Sequence, residues 1–159
     1  MSRIIKEYSG LQKRLGTAEF WWINSFEPDE DDDLSQWSCK FQGPSNTPYE
    51  GFELGLKISV DLEKYPVSGP CVEFEPRTVA HPNVKWDTGE ICLDLLKDAW
   101  TPIYTLLDVV GAVRGLLEEP GLDSPLDLDL AQIYDVDYDA YVQIVRYRLV
   151  EARFDELVQ

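Results

Sequence analysis

The chain has 159 residues, of which 44% are hydrophobic and 28% are charged, as in folded globular proteins. This length supports one domain with a hydrophobic core and is short for two, so we expect a single domain over residues 1–159. The 30 acidic and 14 basic side chains give a formal charge of −16, which argues against nucleic-acid binding because it repels phosphate. The acidic surface either serves solubility alone or contacts basic partners.

The cysteine content predicts a reducing compartment. The thiols are an odd number without paired or metal-ligand spacing, and the first residues do not resemble a secretory signal. They are Cys39, Cys71 and Cys92. We therefore expect a cytoplasmic location and no metal site. The longest apolar stretch, residues 103–117, is interrupted by Asp108 and Arg114, so we expect no direct membrane insertion.

The N-terminal residues predict an amphipathic helix from Ser2 to about Leu15. Apolar residues recur at helical spacing, and basic residues occupy the remaining surface. The apolar set is Ile4, Ile5, Tyr8, Leu11 and Leu15, and the basic set is Arg3, Lys6, Lys13 and Arg14. An acidic run from Glu27 to Asp33 follows, and because it contains Pro28 we interpret it as a solvated loop.

Alternating patterns then predict strands. Residues 37–41 alternate apolar and polar side chains, and residues 52–60 do so again after a turn rich in glycine and proline. A third strand is expected at residues 72–74. Consecutive strands joined by short turns indicate an antiparallel meander, with Cys39 as a small core residue.

Residues 80–102 keep no regular period and are interrupted by Pro82, Asn83, Gly89 and Pro102. Long irregular segments are uncommon in small domains and are usually functional. Helical spacing returns from Thr105 to Leu117, before Pro120 and Gly121, and again from about Asp139 to Val158.

Six short motifs occur in one order along the chain. They are Gly43-Pro44-Ser45-Asn46-Thr47-Pro48-Tyr49, Tyr65-Pro66, His81-Pro82-Asn83-Val84, Gly89-Glu90-Ile91-Cys92-Leu93, Trp100-Thr101-Pro102 and Asp123-Ser124-Pro125-Leu126. A single cysteine or histidine would be a weak signal, whereas an ordered set of motifs is specific. This set resembles the ubiquitin-conjugating enzyme family over nearly the whole chain.

The resemblance implies an α+β fold with an N-terminal helix, a four-stranded antiparallel meander, a central helix and C-terminal helices. It also implies that Cys92 receives ubiquitin as a thioester from an activating enzyme and transfers it to a substrate with a RING-type ligase. A thiolate suits this exchange because one thioester replaces another of similar energy. No cofactor is expected, since ATP is used by the activating enzyme. Two alternatives remain: a non-catalytic ubiquitin-binding adaptor, and conjugation of another ubiquitin-like modifier.

The same resemblance implies roles for the motif residues. Asn83 either stabilises the oxyanion that forms during thioester attack or orders the loop around it. His81, Pro82 and Trp100 are expected to be structural. Ser124 lies where many members have aspartate or serine, and it departs from the aspartate-bearing ones. Because a hydroxyl is a poor base for a lysine acceptor, this enzyme is expected to tolerate or prefer a cysteine acceptor.

Two partner surfaces are implied as well. By the resemblance, Arg3, Lys6, Val67, Pro102 and Ile103 match the surface that binds the activating enzyme and RING-type ligases. On the last helix, one apolar stripe contains Tyr141 and Val145, and a second contains Ile144, Tyr147, Val150 and Phe154. One helix cannot bury both stripes against the same core. Either fraying or wrapping hides the second stripe, or it is a partner surface.

Three segments are similar to the peroxisomal branch of the family: residues 1–8, residues 88–93 and residues 119–127. That similarity implies ubiquitination of peroxisomal import receptors for their export and recycling, with RING-type peroxisomal ligases as partners. It also implies a peripheral location on the cytosolic face of the peroxisomal membrane, where a membrane-anchor peroxin would bind the second stripe. One departure from the family pattern is Gly69, which stands where most members have proline.

Overall fold

A computed structural model describes residues 2–159 and contains one four-stranded antiparallel sheet and four α-helices. The sheet order is β1-β2-β3-β4, which is a simple meander. The strands are β1 (Ile23–Glu30), β2 (Asp33–Gln42), β3 (Glu53–Ser59) and β4 (Cys71–Phe74), and the helices are α1 (Arg3–Leu15), α2 (Leu106–Glu118), α3 (Leu128–Val136) and α4 (Tyr138–Val158). Short 3-10 helices lie at Ala18–Phe20 and Asp94–Leu96. The α+β fold class is confirmed.

The helices begin and end close to the predicted positions. Thr105 caps α2: its side chain accepts a hydrogen bond from the backbone N–H of Asp108, whose carboxylate accepts from the backbone N–H of Thr105. This reciprocal arrangement satisfies two N–H groups that a helix start otherwise leaves unpaired. The α3 helix was not located individually from the sequence, because its nine residues show only a short apolar pattern.

The interpretation of Glu27 to Asp33 as a loop is wrong. These residues form the end of β1, a two-residue turn and the start of β2, with Glu30 paired to Asp33. Phe26 and Pro28 face inward, whereas Glu27 and Asp29 are exposed, so the run keeps the alternation of a strand. Pro28 is tolerated because β1 is an edge strand and pairs only with β2.

The core combines one face of the sheet with α2. Val109, Val110 and Val113 of α2 are fully buried and belong to the same cluster as Trp37 and Phe41 of β2. Cys39 is also fully buried, as the alternation predicts. This packing fixes α2 against the sheet and therefore fixes the loops at both ends of α2.

The α4 helix has a buried face and an exposed face. Tyr141, Val145 and Leu149 are buried, whereas Tyr147 is 65% exposed and Phe154 is 62% exposed. The helix continues to Val158, and Tyr147, Val150 and Phe154 of the second stripe remain exposed. Ile144, expected in the same stripe, is instead half-buried against the core. None of the helices within residues 2–159 combines the length and the apolar character needed to cross a bilayer.

Candidate active site

The strand-like segment that carries Cys92 runs between β4 and residues 83–85. Glu90 forms a bridge with Glu73 of β4 on one side, and Ile91 forms one with Val84 on the other. The backbone N–H of Phe74 donates to the carbonyl of Gly89 over 2.9 Å. Gly89 has a φ of +79°, and a Cβ there would collide with the Phe74 carbonyl oxygen, so glycine is required. The segment that leads to Cys92 is thus paired with neighbouring backbone on both sides.

Cys92 is half-buried, and its backbone N–H donates to the carbonyl of Asn83 over 2.8 Å. Its thiol is therefore placed at the surface by a fixed backbone. The other two cysteines differ: burial raises the pKa of Cys39 to about 12, which keeps that thiol protonated and unreactive. Cys71 is exposed, and partial burial together with Glu73 and Glu90 raises its pKa.

The Asn83 side chain is buried and is bound to the backbone of Gly121. Its Nδ2 donates to the Gly121 carbonyl over 2.7 Å, and its Oδ1 accepts from the Gly121 N–H over 2.8 Å. The amide therefore links the Cys92 segment to the α2–α3 loop, residues 119–127. Of the two roles considered for Asn83, this geometry supports ordering of the loop.

His81 is fully buried and uses both ring nitrogens. Nδ1 accepts a hydrogen bond from the backbone N–H of Asn83 over 2.9 Å, which assigns the ring proton to Nε2, the donor to the Leu116 carbonyl over 2.8 Å. Burial lowers the pKa of His81 to about 4, because the interior disfavours the charged ring. A neutral ring with both nitrogens bonded supports the loop and has no free position for proton transfer.

The α2–α3 loop is attached to the same segment at a second point. The Pro82 carbonyl accepts hydrogen bonds from the backbone N–H groups of Leu126 and Asp127, over 2.9 and 3.1 Å. Ser124 lies between these bonds and Gly121 and is exposed. The structure therefore brings the Cys92 segment, Asn83 and the loop of Ser124 together through hydrogen bonds.

The five residues expected to bind the activating enzyme and ligases occupy neighbouring elements. Arg3 donates to the carbonyls of Pro102 and Tyr104, each over 2.6 Å, and so attaches α1 to the loop before α2. Val67 and Ile103 are 79% and 80% exposed. Lys6 lies exposed on α1.

The Trp100 indole connects the loop that contains Ile103 to the segment that contains Val67. Its Nε1 donates to the Pro66 carbonyl over 3.0 Å, and its ring lies against Gly69. A Cβ at Gly69 would lie 2.7 Å from Cδ2 of Trp100, which is closer than side chains approach one another. With this backbone, glycine at position 69 leaves room for the indole.

Sequence reasoning missed Glu7. Its Oε1 accepts from the N–H of Leu106 at the start of α2, over 2.8 Å, and its Oε2 accepts from the Tyr65 hydroxyl and pairs with Nε of Arg3 at 3.2 Å. Burial and the Glu7 carboxylate raise the pKa of Tyr65. In the sequence, Arg3 and Glu7 appear only as an ordinary surface pair four residues apart on a helix, so no signal distinguished Glu7.

The chain belongs to the ubiquitin-conjugating enzyme family: residues 3–149 match the family described as "Ubiquitin-conjugating enzyme". It is 43% identical to Ubiquitin-conjugating enzyme E2-21 kDa of Saccharomyces cerevisiae, over 95% of this chain and 86% of that protein. This membership confirms that the protein is a ubiquitin-conjugating enzyme.

Within the family, the chain is related to peroxins. It is 42% identical to Ubiquitin-conjugating enzyme E2 pex4 of Dictyostelium discoideum, over 83% of this chain and 84% of that one. It is 40% identical to Protein PEROXIN-4 of Arabidopsis thaliana, over 80% and 78%. The crystal structure of H. polymorpha Pex4p, in complex with the soluble domain of Pex22p, superposes with a TM-score of 0.86 at 30% identity, covering 93% of this chain and 94% of that one. The expected relation to the peroxisomal branch is confirmed.

Proposed function

We propose that Cys92 receives ubiquitin as a thioester from an activating enzyme and transfers it to a substrate with a RING-type ligase. The observation that carries this proposal is the position of Cys92 in a ubiquitin-conjugating enzyme. Cys92 is half-buried, and its backbone is hydrogen-bonded to Asn83. The side chain of Asn83 is hydrogen-bonded in turn to the α2–α3 loop. Cys92 and an acceptor group can therefore meet at a surface whose backbone is fixed.

The two transfers balance without a cofactor on this chain. The Cys92 thiolate attacks the thioester carbonyl on the activating enzyme, a new C–S bond forms, and the old one breaks to release the activating enzyme's thiol. The acceptor nucleophile then attacks the carbonyl on Cys92, which leaves as a thiolate. ATP is used by the activating enzyme alone. Asn83, His81 and Pro82 hold the loops around the carbonyl.

Ser124 supports a preference for a cysteine acceptor. A hydroxyl cannot take a proton from a lysine ammonium as a carboxylate can, whereas a cysteine acceptor is already partly ionised near neutral pH. Discharge to free cysteine should therefore exceed discharge to free lysine, and Ser124→Asp should raise the lysine rate selectively. Equal or lysine-biased discharge by the unaltered enzyme would contradict this preference.

The biological setting follows from the peroxin relatives. We infer that the substrates are peroxisomal import receptors, which are ubiquitinated for export and recycling. The enzyme then lies peripherally on the cytosolic face of the peroxisomal membrane, with RING-type peroxisomal ligases as partners. A membrane-anchor peroxin binds the second stripe of α4, and the exposure of Tyr147, Val150 and Phe154 supports this assignment. The Pex22p complex of the H. polymorpha relative supports it too.

The second partner surface combines Arg3, Lys6, Val67, Pro102 and Ile103, and it serves the activating enzyme and the ligase. Its support is the contact of Arg3 with the Pro102 carbonyl and the high exposure of Val67 and Ile103. Exposed apolar side chains beside basic ones form the kind of patch that partner proteins cover.

The test is incubation with activating enzyme, ATP and ubiquitin, followed by a non-reducing gel. We expect an adduct that a thiol reductant removes, that Cys92→Ala abolishes and that Cys71→Ala leaves unchanged. No adduct with ubiquitin would overturn the proposal. An adduct formed only with another modifier would indicate a different conjugation pathway, and ubiquitin binding without an adduct would indicate an adaptor.

A further inference from the structure

A pocket of about 240 Å³ lies between α1, the N-terminal end of α2 and the sheet. Its floor is made of buried apolar side chains, and its rim carries basic side chains of α1. The floor residues are Leu11, Phe26, Trp37, Leu106 and Leu107, and the basic rim residues are Arg3, Lys6 and Arg14. Small-molecule sites usually enclose roughly 300–1,000 Å³. A cavity of about 150 Å³ can hold a benzene ring, so this pocket has the size for one bulky side chain.

Gly10 keeps the pocket open. It lies on the pocket side of α1, between Lys6 and Arg14, and no atom lies within 4 Å of the position that a Cβ would occupy. Glycine is the weakest helix former apart from proline, and here packing does not require it, because a side chain would fit. A larger residue at this position would instead occupy the space above the apolar floor.

The rim is positively charged in an acidic protein. The α1 helix carries four basic residues and one acidic residue, although the chain has a formal charge of −16. Lys6 and Arg14 form no ion pair with any residue in the range 2–159. The single acid, Glu7, is already bonded to Arg3, Tyr65 and Leu106. Uncompensated positive charge beside an apolar pocket favours a negatively charged partner.

We propose that this pocket docks an acidic segment of a partner protein that inserts one bulky apolar side chain between α1 and α2. Apolar burial supplies the anchor, and the rim charges supply steering and orientation. The inference rests on the proposed function only in assigning Arg3 and Lys6 to a partner surface. The chemistry of the pocket is independent of thioester formation.

The probe is a five-residue peptide with a central phenylalanine flanked on each side by glutamate and aspartate. It is titrated into the full ¹⁵N-labelled chain while the Gly10 amide and Trp37 indole signals are followed by NMR. We expect both signals to shift, and the shift to weaken as salt is added. Replacing the central phenylalanine by alanine should weaken binding by roughly tenfold or more, and replacing the acids by lysine should abolish it.

Two variants locate the binding. Gly10→Leu should fill the pocket and abolish the shift of Trp37, whereas Gly10→Ala adds only a methyl group and should retain binding. Lys6→Glu, at an exposed position that cannot disturb the core, should weaken binding of the acidic peptide and narrow its advantage over the lysine peptide. Unchanged binding by Gly10→Leu, or equal binding of the lysine peptide by the unaltered chain, would overturn the inference. Because NMR needs no charging, a failure here is distinct from a failure to form the Cys92 thioester.

Discussion

Asn83 and Gly121 hold each other through two hydrogen bonds, one in each direction, although 38 positions separate them in the chain. The same short segment binds Cys92 through its backbone. This buried amide, together with the Pro82 carbonyl, therefore sets the position of the α2–α3 loop relative to the Cys92 segment. Any group that approaches Cys92 past Ser124 meets a surface that this amide has ordered.

Asn83→Ala should slow discharge of the Cys92 thioester by about tenfold or more while leaving its formation largely intact, because the loop loses both bonds at Gly121. The unpaired Gly121 groups should lower the free energy of unfolding by about 1–3 kcal/mol. Single-turnover discharge and hydrogen exchange of residues 119–127 measure the two effects. If discharge fell while exchange in this loop stayed unchanged, a direct role at the oxyanion would replace the ordering role.

The single histidine predicts a specific pH dependence of stability. The folded pKa of His81, about 4, lies below its ordinary value of 6.5, so the unfolded chain takes up the proton first as pH falls. The contribution is complete above about pH 6.5 and is lost progressively towards pH 4, by roughly 3 kcal/mol.

An NMR titration of the ring reports the folded pKa without ambiguity, since the chain has one histidine. Urea unfolding at pH 7 and pH 5 reports the loss of stability, with His81→Gln as the control that should flatten the dependence. Discharge rates between pH 6 and 8 should show no inflection from this ring. A folded pKa near 6.5 would contradict the structure.

Arg3→Met should impair charging by the activating enzyme and stimulation by the ligase, because residues 101–104 lose their attachment to α1. The methionine keeps most of the apolar stem, so the change removes mainly the bonds to the Pro102 and Tyr104 carbonyls and the pair with Glu7. We expect a several-fold higher KM for the activating enzyme. Discharge of a preformed thioester to free cysteine should stay normal. Lys13→Met, elsewhere on α1, is the matched control and should behave like the unaltered enzyme.

Two glycine-to-alanine changes should shift stability in opposite directions. Gly69→Ala should lower the free energy of unfolding by about 1–3 kcal/mol, since its methyl group collides with the Trp100 indole. Gly10→Ala should raise it by about 0.5–1 kcal/mol, because it removes a helix-interior glycine and meets no neighbour. Urea denaturation of both variants measures the difference. A Gly69→Ala variant as stable as the unaltered chain would show that the indole can move at little cost.

Tyr147→Ala should abolish binding of the membrane-anchor peroxin and leave charging of Cys92 intact. Tyr147 is exposed at the centre of the second stripe of α4, so its removal takes away contact area without opening the core. Calorimetric titration with the soluble anchor domain measures the affinity. Val136→Ala, at another exposed apolar position on α3, should have no effect. Loss of binding in both variants would point to a different surface.

The sequence predicted most of the fold because its helices and central strands are strongly periodic. It failed at residues 27–33, where carboxylates and Pro28 outweighed a real alternation of inward and outward side chains. For α4 the two stripes left open whether the second one would be covered, and the structure leaves Tyr147, Val150 and Phe154 exposed.

At the site, the family resemblance implied roles for Cys92, Asn83 and Ser124 but did not specify the contacts between their segments. The hydrogen bonds themselves were beyond prediction, because they join residues distant in sequence. The side chain of Asn83 binds the backbone of Gly121, and Glu7 binds the first N–H of α2. A hydrogen bond to a backbone group does not depend on the type of residue that carries the group, so the sequence does not reveal it. Such contacts follow only from the packed structure.

The edge position of β1 has a consequence for association. An unpaired strand edge offers N–H and C=O groups to any other extended chain and so invites aggregation. In β1, Pro28 removes one donor, and the carboxylates of Glu27, Asp29 and Glu30 repel a second copy of the same edge. An enzyme that must bind one partner after another benefits from a strand edge that does not pair with a second copy of itself at high concentration. The acidic run thus disfavours pairing of two molecules through this strand edge.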